Sequence, residues 1–184
     1  MRQIVQQQQA KAGARPRHEP YRHQQTPAGD WDTWLLLGGR GSGKTEGGVN
    51  YVIEHLREFG VRARVGIGAP TIADARDTCA EGETGMITMF GNEIDKYNRT
   101  MGEARHSFGG YVKFMGSEEP ARWNGPQWTL LWADELGLWN IESWHQAQFG
   151  LRLGERPRAV ITTTAKAERP RNLKEIKRLV AEAQ

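Results

Sequence analysis

A glycine-rich stretch constrains this sequence more than any other feature. It fits the phosphate-binding pattern G-x-x-x-x-G-K-[ST] without a mismatch. Its residues are Gly38, Gly39, Arg40, Gly41, Ser42, Gly43, Lys44 and Thr45. Leu35 to Leu37 precede it as a buried strand would, and the apolar spacing over residues 45–58 predicts a helix after it. This strand, loop and helix are the context that the motif requires, and they favour an α/β fold.

The composition of the loop suits a triphosphate. Its four glycines allow the backbone to turn its N–H groups toward one point, where the positive end of the following helix also attracts an anion. Lys44 supplies a charge for the β- and γ-phosphates, and the Thr45 hydroxyl supplies a ligand for Mg²⁺. The structural alternative is a glycine-rich turn that happens to contain Lys-Thr. We predict a P-loop ATPase that binds ATP and Mg²⁺.

A second chemical centre follows the apolar run over residues 128–133. This run predicts a central parallel strand that is buried on both faces, and it ends in Asp134 and Glu135. In a P-loop fold the first acid holds Mg²⁺, directly or through water. The second acid lies beyond the γ-phosphate, where a carboxylate polarises the attacking water. Alternatively, the two acids only cap the helix that follows.

Three hydroxyls mark the end of a later strand. Residues 158–161 predict a strand that ends in Thr162, Thr163 and Thr164. Ligands of open α/β sheets bind at the carboxyl ends of parallel strands, so a hydroxyl there is placed to sense the γ-phosphate. The alternative is a threonine run chosen for its strand propensity.

The other elements predict the rest of a mostly parallel, RecA-like sheet flanked by helices, with a β-hairpin insertion. Residues 62–70 predict a strand and residues 72–79 a helix. The Gly109-Gly110 pair predicts a hairpin between residues 104–107 and 112–115. Helices are predicted over 141–151 and 172–183, whereas 81–99 has only a short apolar piece at 86–90.

Composition bounds the domain organisation and the setting. At 184 residues the chain suits one domain, predicted over 31–184 after a basic, Gln-rich arm over 1–30. Its single cysteine excludes an internal disulfide, and no apolar run could span a bilayer, so we expect the cytoplasm and no membrane partner.

The charge is unevenly distributed along the chain. Residues 1–30 carry five basic and two acidic side chains, residues 31–151 eleven and sixteen, and residues 152–184 nine and four. Basic ends on a more acidic body fit contact with a nucleic acid, or they are solvated tails.

Two glutamines lie near the end of the predicted arm, shortly before the P-loop strand. Gln24 and Gln25 precede Trp31 and Trp34 by only a few residues. A glutamine amide pairs with both the donor and the acceptor edge of adenine, so one of these two is a candidate to select ATP. An ordinary exposed glutamine in a Gln-rich arm is the alternative.

Taken together, four signatures resemble one family. Gln24, Pro27, Trp31 and Trp34 lead into the glycine-rich loop, and residues 124–127 lead to Asp134, Glu135 and Leu136. Residues 151–154 then lead to the three threonines. Over residues 20–170 this order resembles the large terminase subunits of tailed double-stranded DNA phages.

The resemblance implies an ATPase motor that moves double-stranded DNA through a portal into an empty capsid. It implies a ring of identical subunits, with the portal protein and the small terminase subunit as partners in the host cytoplasm. By position, Gln24 matches the family's adenine-contacting glutamine, Arg40 the arginine inside its P-loop, and Thr162 to Thr164 its coupling motif. Arg122 matches the arginine that reaches a neighbouring subunit's ATP site.

Family members continue into a lid subdomain and a nuclease domain. Because this sequence stops shortly after the threonines, we expect no DNA cleavage by this chain. Two other functions fit the same residues. One is another P-loop translocase, such as a helicase fragment, and the other is a nucleotide-binding assembly module that does not turn over.

Overall fold

A mostly parallel sheet forms the centre of the chain. The computed structural model describes residues 21–164 and 170–182. Within them the strands are β1 (Thr33–Leu37), β2 (Arg64–Ala69), β3 (Ile94–Asn98), β4 (Glu103–His106), β5 (Tyr111–Gly116), β6 (Leu130–Ala133) and β7 (Arg158–Thr163). The helices are α1 (Lys44–Phe59), α2 (Ile72–Asp74), α3 (Met86–Phe90), α4 (Ile141–Gly150) and α5 (Pro170–Glu182), and α2 continues as a π-helical segment, Ala75–Ala80.

The order of the strands determines where the site lies. They are arranged β1-β7-β6-β2-β5-β4-β3. The first five run parallel, and β4 and β3 extend the sheet in antiparallel fashion. The carboxyl ends of β1, β7 and β6 are therefore neighbours, which brings the P-loop, the two acids and the threonines to one edge of the sheet. Open α/β sheets bind their ligands at this edge.

Helices cover the two faces of the sheet unequally. The first face carries Val65 and Ile67 of β2, and α1 packs on it with a stripe that includes Val49, Val52 and Ile53. The second face carries Arg64, Gly66 and Gly68 of the same strand, because side chains alternate along a strand. Trp144 and Ala147 of α4 and Leu179 of α5 pack on the second face at β6 and β7.

Large indoles fill the space that strand and helix glycines leave. A methyl group at Gly68 would lie 2.2 Å from Trp139 and 2.7 Å from Trp123. In α1, a methyl group at Gly48 would lie 2.4 Å from Trp132 of β6. Because glycine has no side chain, these rings can lie directly on the backbone of the sheet and of α1.

The predicted elements are present, with small shifts at their ends. The predicted hairpin is β4 and β5, and β5 also pairs in parallel with β2, so the hairpin belongs to the main sheet. The stretch 81–99, which the sequence assigned only loosely, contains α3 and β3. Strand β3 has intermediate or exposed side chains throughout, so it lacked the apolar pattern of a buried strand.

Part of the predicted arm lies against the P-loop. Residues 1–20 and Ala183 are outside the described residues, but Arg22–Gln24 forms a short 3₁₀ turn that contacts α1. The division at residue 30 stays a prediction. In the described part of the chain, no helix combines the length and the apolar character needed to cross a membrane.

Candidate active site

The P-loop joins β1 to α1 and leaves its backbone amides available. Gly41 and Gly43 have φ values of 73° and 75°, in the left-handed region that glycine enters without steric cost. Within the described residues, no hydrogen bond is donated by the N–H groups of Gly39, Arg40 or Gly41. Such a turn, placed at the positive end of a sixteen-residue helix, is suited to an anion.

Lys44 closes over the loop in this structure. It is 7% exposed, and its Nζ donates to the carbonyl oxygens of Gly38 at 3.1 Å and Gly39 at 2.8 Å. The same Nζ lies 3.8 Å from Oε1 of Glu135. A cavity of about 260 Å³ opens beside the loop, between Lys44, His23 and β1. The ammonium group therefore already lies between the loop and the acid that the sequence predicted as catalytic.

Gln24 is buried against the loop, whereas Gln25 is exposed. Nε2 of Gln24 donates to the carbonyl of Gly43 at 3.0 Å and to Glu46 at 3.2 Å, and its Oε1 accepts from the backbone of Tyr21 at 2.7 Å. A contact with adenine would replace one of these bonds, so this role stays a prediction. His23, which the sequence did not single out, lies 2.7 Å from the Ser42 carbonyl through Nε2.

Asp134 is a buried carboxylate at the end of β6. Its Oδ1 accepts from Thr162 at 2.6 Å, and the Cys79 thiol lies 3.6 Å from Oδ2. Within the described residues it forms no ion pair. Burial raises the pKa of Asp134 from its ordinary 3.8 to about 6, against the opposing effect of the Thr162 hydrogen bond. A buried carboxylate of this kind gains most from a bound cation.

Glu135 has a left-handed backbone, with φ 49° and ψ 49°. Among the described residues it is the one non-glycine with a positive φ. This conformation costs on the order of 1–3 kcal/mol and is concentrated at functional sites. A three-residue 3₁₀ turn follows, and Glu135 makes no side-chain capping bond to it. The geometry therefore does not support the alternative that these acids serve only as helix caps.

The three threonines contact the acidic segment one after another. Thr162 donates to Asp134, Thr163 Oγ1 accepts from the Gly137 amide at 3.1 Å, and Thr164 Oγ1 lies 2.9 and 3.0 Å from the two carboxylate oxygens of Glu135. The Thr164 amide also donates to Glu135 at 3.0 Å. Strand propensity alone does not require these contacts. These contacts connect the end of β7 and the residue after it to both acids.

The two candidate arginines lie outside this cluster. Arg40 is exposed and forms no hydrogen bond or ion pair within the described residues. Arg122 lies on the 3₁₀ turn Pro120–Trp123, where Nε donates to Glu119 at 2.6 Å, and both side chains are more than half exposed. Within the described residues, Arg122 makes no hydrogen bond or ion pair with the P-loop, Asp134 or Glu135.

The sequence missed the residues that support the acidic segment. Nδ2 of Asn172, buried on α5, lies within 2.7–3.1 Å of the carbonyl oxygens of Leu136, Gly137 and Trp139. Trp132 Nε1 donates to the Thr162 hydroxyl at 3.0 Å. The sequence offered one signal for Asn172: it is the uncharged amide side chain in an amphipathic helix whose other side chains are mostly apolar or charged.

The donor set fits a magnesium nucleotide. The free amides and Lys44 are donors suited to an anion, and Thr45 and Asp134 carry the hard oxygen atoms that Mg²⁺ prefers. Within the described residues, no cluster of three or more His, Cys, Asp or Glu side chains could hold a metal by itself.

Comparison with known proteins gives a family. The family described as "Terminase large subunit, T4likevirus-type, N-terminal" matches residues 35–170, which is most of the chain. No curated protein sequence matches.

Solved structures show the same fold. The HK97 bacteriophage large terminase superposes with a TM-score of 0.62 at 16% identity, over 83% of this chain and 33% of that one. The large terminase ATPase domain of Thermus phage P74-26 gives 0.61 at 15%, over 81% and 66%. The large terminase of a thermophilic bacteriophage, in complex with ADP, gives 0.58 at 18%, over 78% and 38%. This chain thus spans about a third of the HK97 protein, and identities this low show the fold alone.

Proposed function

Because this chain belongs to the family of T4likevirus-type terminase large subunits, as their N-terminal part, we propose that it hydrolyses Mg²⁺-bound ATP to move double-stranded DNA into a procapsid. The large terminase of the thermophilic bacteriophage has been solved with ADP and with ATP-γ-S, which supports nucleotide binding here. The observation that carries the proposal is the position of Glu135, held by Thr164 and 3.8 Å from Lys44.

In this proposal the P-loop holds the phosphates. The amides of Gly39, Arg40 and Gly41 donate to phosphate oxygens, and Lys44 exchanges its bonds with the Gly38 and Gly39 carbonyls for bonds to the anion. Charge-assisted bonds to phosphate are stronger than those to neutral carbonyls, so this exchange is favourable. The loop needs little rearrangement, because its two positive-φ glycines already set its path.

Thr45 and Asp134 would hold the metal, which when bound neutralises charge on the phosphate oxygens. Asp134 is fixed for this role by Thr162 on one carboxylate oxygen. Burial disfavours its charged form, so the incoming cation replaces lost hydration.

Glu135 would act as the general base. Its carboxylate accepts a proton from the attacking water, and a general base contributes typically about 10²- to 10⁴-fold in rate. Thr164 holds both carboxylate oxygens and so fixes the direction of the base. This contact also gives the end of β7 a direct means to release or align Glu135 when the phosphates change.

The rest of the motor would come from other copies and partners. Arg122 is exposed and, within the described residues, makes no hydrogen bond or ion pair with the P-loop, Asp134 or Glu135, as expected of a residue that completes the ATP site of a neighbour in a homo-oligomeric ring. Arg40 would contact phosphate from the loop. The portal protein and the small terminase subunit would connect the ring to the capsid and the DNA.

The first test is Glu135→Gln. The amide keeps the size of the side chain and hydrogen-bonding capacity toward Thr164 but cannot accept the proton. We expect ATP turnover to fall by about 10²- to 10⁴-fold, whereas the affinity for a fluorescent ATP analogue stays nearly unchanged. Steady-state phosphate release and equilibrium titration measure the two quantities.

Glu58→Gln is the matched control, because Glu58 is an exposed glutamate at the far end of α1. It should leave both quantities unchanged. Retained turnover in Glu135→Gln would exclude Glu135 as the base. No turnover by the unaltered chain, with or without DNA and at any protein concentration, would favour a nucleotide-binding module. Strand separation without a portal would favour a helicase.

A further inference from the structure

A row of basic and aromatic side chains crosses the outer half of the second face. Strand register pairs Lys96 of β3 with Arg105 of β4, Arg105 with Tyr111 of β5, and Tyr111 with Arg64 of β2. Residues directly opposite each other in paired strands point to the same face. These four side chains, here called the basic row, therefore project from one face along a line perpendicular to the strands.

The basic row is open to solvent. Lys96, Arg105 and Arg64 are exposed, and Tyr111 is half-buried. The apolar cluster under α4 and α5 reaches as far as Met115 and Tyr111 of β5 and includes no described residue of β3 or β4. The described residues leave this part of the second face uncovered, which antiparallel strands at a sheet edge allow.

The cations of the basic row form no ion pair within the described residues, although Glu103 of β4 interacts electrostatically with Arg105. The guanidinium groups of Arg105 and Arg64 lie 4.7 and 5.4 Å from the centre of the Tyr111 ring. Within the described residues, neither they nor Lys96 form an ion pair. Elsewhere in the described chain, several arginines do pair with carboxylates, for example Arg57 with Glu93 at 2.7 Å. The positive charge of the basic row is therefore available to an external anion.

The dimensions and chemistry of the row suit a phosphate backbone. Neighbouring strands lie about 4.8 Å apart, so Lys96 and Arg64 are separated by roughly 14 Å, close to the approximately 12 Å width of the DNA major groove. Guanidinium groups bind phosphate through two parallel hydrogen bonds and remain ordered when stacked on an aromatic ring. A regular line of such groups favours an extended polyanion.

The surface lacks what a protein interface would need. Interfaces between proteins have an apolar core, but none of the large hydrophobic side chains that are exposed in the described residues lies on β3, β4 or β5. The large hydrophobic side chains that are exposed in the described residues are Tyr21, Leu37, Val61, Met101, Phe108 and Phe149. Charge without an apolar anchor favours a nucleic acid over an acidic protein.

We propose that the basic row contacts the sugar-phosphate backbone of double-stranded DNA during translocation, an inference that rests on the proposed function for the presence of DNA. The contact is independent of sequence, since the row is a flat sheet surface that offers no helix or loop to a groove. Glu103, which lies two residues before Arg105 on the same face of β4 and pairs with Lys113 at 2.7 Å, weakens the positive field.

The test compares duplex binding by two sets of variants of the full chain. Lys96→Gln, Arg105→Gln and Arg64→Gln are combined, and binding to a labelled mixed-sequence duplex is measured by anisotropy between about 50 and 200 mM salt. A plot of log affinity against log salt concentration has a negative slope, and each lost phosphate contact reduces the size of that slope by about 0.9. For the triple variant, the size of the slope should therefore be smaller by about 2.7. Glu103→Gln should strengthen binding.

Lys174→Gln combined with Lys177→Gln is the control, because both lysines are exposed on α5, in the basic carboxyl-terminal region, and neither belongs to the basic row. It should keep the unaltered slope. If the triple variant binds as the unaltered chain does, the proposal is overturned, and an acidic protein becomes the better partner for this face. Loss of binding in the α5 control alone would also overturn it.

ATP turnover without DNA separates this proposal from the proposed function. None of the altered residues belongs to the candidate active site, so basal turnover should be equal in all the variants, with unchanged thermal unfolding. A chain without turnover that still loses duplex binding in the triple variant would contradict the ATPase assignment and support the DNA surface.

Discussion

His55 shows how one buried side chain sets a pH dependence. It lies on α1, and its Nε2 is 2.8 Å from the hydroxyl of Thr129. That hydroxyl also bonds the backbone of Arg64 at 3.0 Å. Burial lowers the pKa of His55 from 6.5 to about 4, and the positive charge of Arg158 acts in the same direction. The folded chain therefore holds this imidazole neutral over most of the acidic range.

A lowered histidine pKa predicts lower stability in acid. Between about pH 6.5 and 4 the unfolded chain binds the proton and the folded chain does not, so stability falls as the pH falls through this window. A pKa difference of one between the folded and unfolded chains corresponds to about 1.4 kcal/mol, so the full loss approaches about 3 kcal/mol. In His55→Gln, which keeps the bond to Thr129 but does not titrate, this part of the loss should be absent.

Urea denaturation of both proteins at a series of pH values measures this difference. The two free energies of unfolding should diverge from about pH 6.5 downward, since other acid-titrating groups are shared and cancel. If the free energies of unfolding of the unaltered chain and of His55→Gln changed in parallel with pH, the folded chain would protonate His55 as readily as the unfolded chain does.

At the scale of elements, the packing of β2 between two layers depends on its glycines, which have no side chains. Its glycines face the tryptophans of the second face, whereas Val65 and Ile67 face α1. Gly68→Ala would place a methyl group 2.2 Å from Trp139, against a fully buried ring. Overpacking of this kind costs typically about 1–3 kcal/mol.

Gly91→Ala is the matched control for Gly68→Ala, because a methyl group at Gly91 would have no atom within 4 Å and its backbone is helical, with φ −57°. We expect Gly68→Ala to lower the free energy of unfolding by about 1–3 kcal/mol and Gly91→Ala to leave it unchanged or slightly raised. Urea denaturation measures both, and equal midpoints for the two variants would mean that the indole at Gly68 relaxes freely.

Local patterns account for what the sequence could predict at this scale. The glycine-rich loop, the buried run before Asp134 and the stripe of α1 each carry their signal within one element, and each was found in place. Strand β3 was missed because its sequence, at the edge of the sheet, is polar and lacks the alternation of apolar and polar residues that marks a half-buried strand. The left-handed backbone of Glu135 was not predictable, since glutamate has no intrinsic preference for it.

At the scale of the whole molecule, the site depends on contacts that no local pattern records. Thr164 meets Glu135, and Asn172 holds the segment between Leu136 and Trp139, only because β7 lies between β1 and β6 and α5 returns across the second face. The resemblance named the residue types of the site. Their pairing required the strand order, which one sequence does not give.

Arg122 is the residue proposed to reach a neighbouring subunit of the ring. Its bond to Glu119 joins two exposed side chains, and such pairs contribute less than about 1 kcal/mol. The guanidinium group is therefore free to leave Glu119 for a phosphate of an adjacent subunit. An arginine supplied in this way is worth roughly 10³- to 10⁵-fold in phosphoryl transfer.

Mixing variants tests this role. Arg122→Ala alone should lose the turnover that rises with protein concentration, and Glu135→Gln alone should have a turnover lowered by about 10²- to 10⁴-fold. In a mixed ring, a Glu135→Gln subunit supplies its intact Arg122 to a neighbour whose Glu135 is intact, so phosphate release should partly return. The double variant Arg122→Ala, Glu135→Gln supplies no arginine and should give no rescue when mixed with Arg122→Ala. Absence of rescue at every mixing ratio would place Arg122 in a structural role, or one within its own subunit.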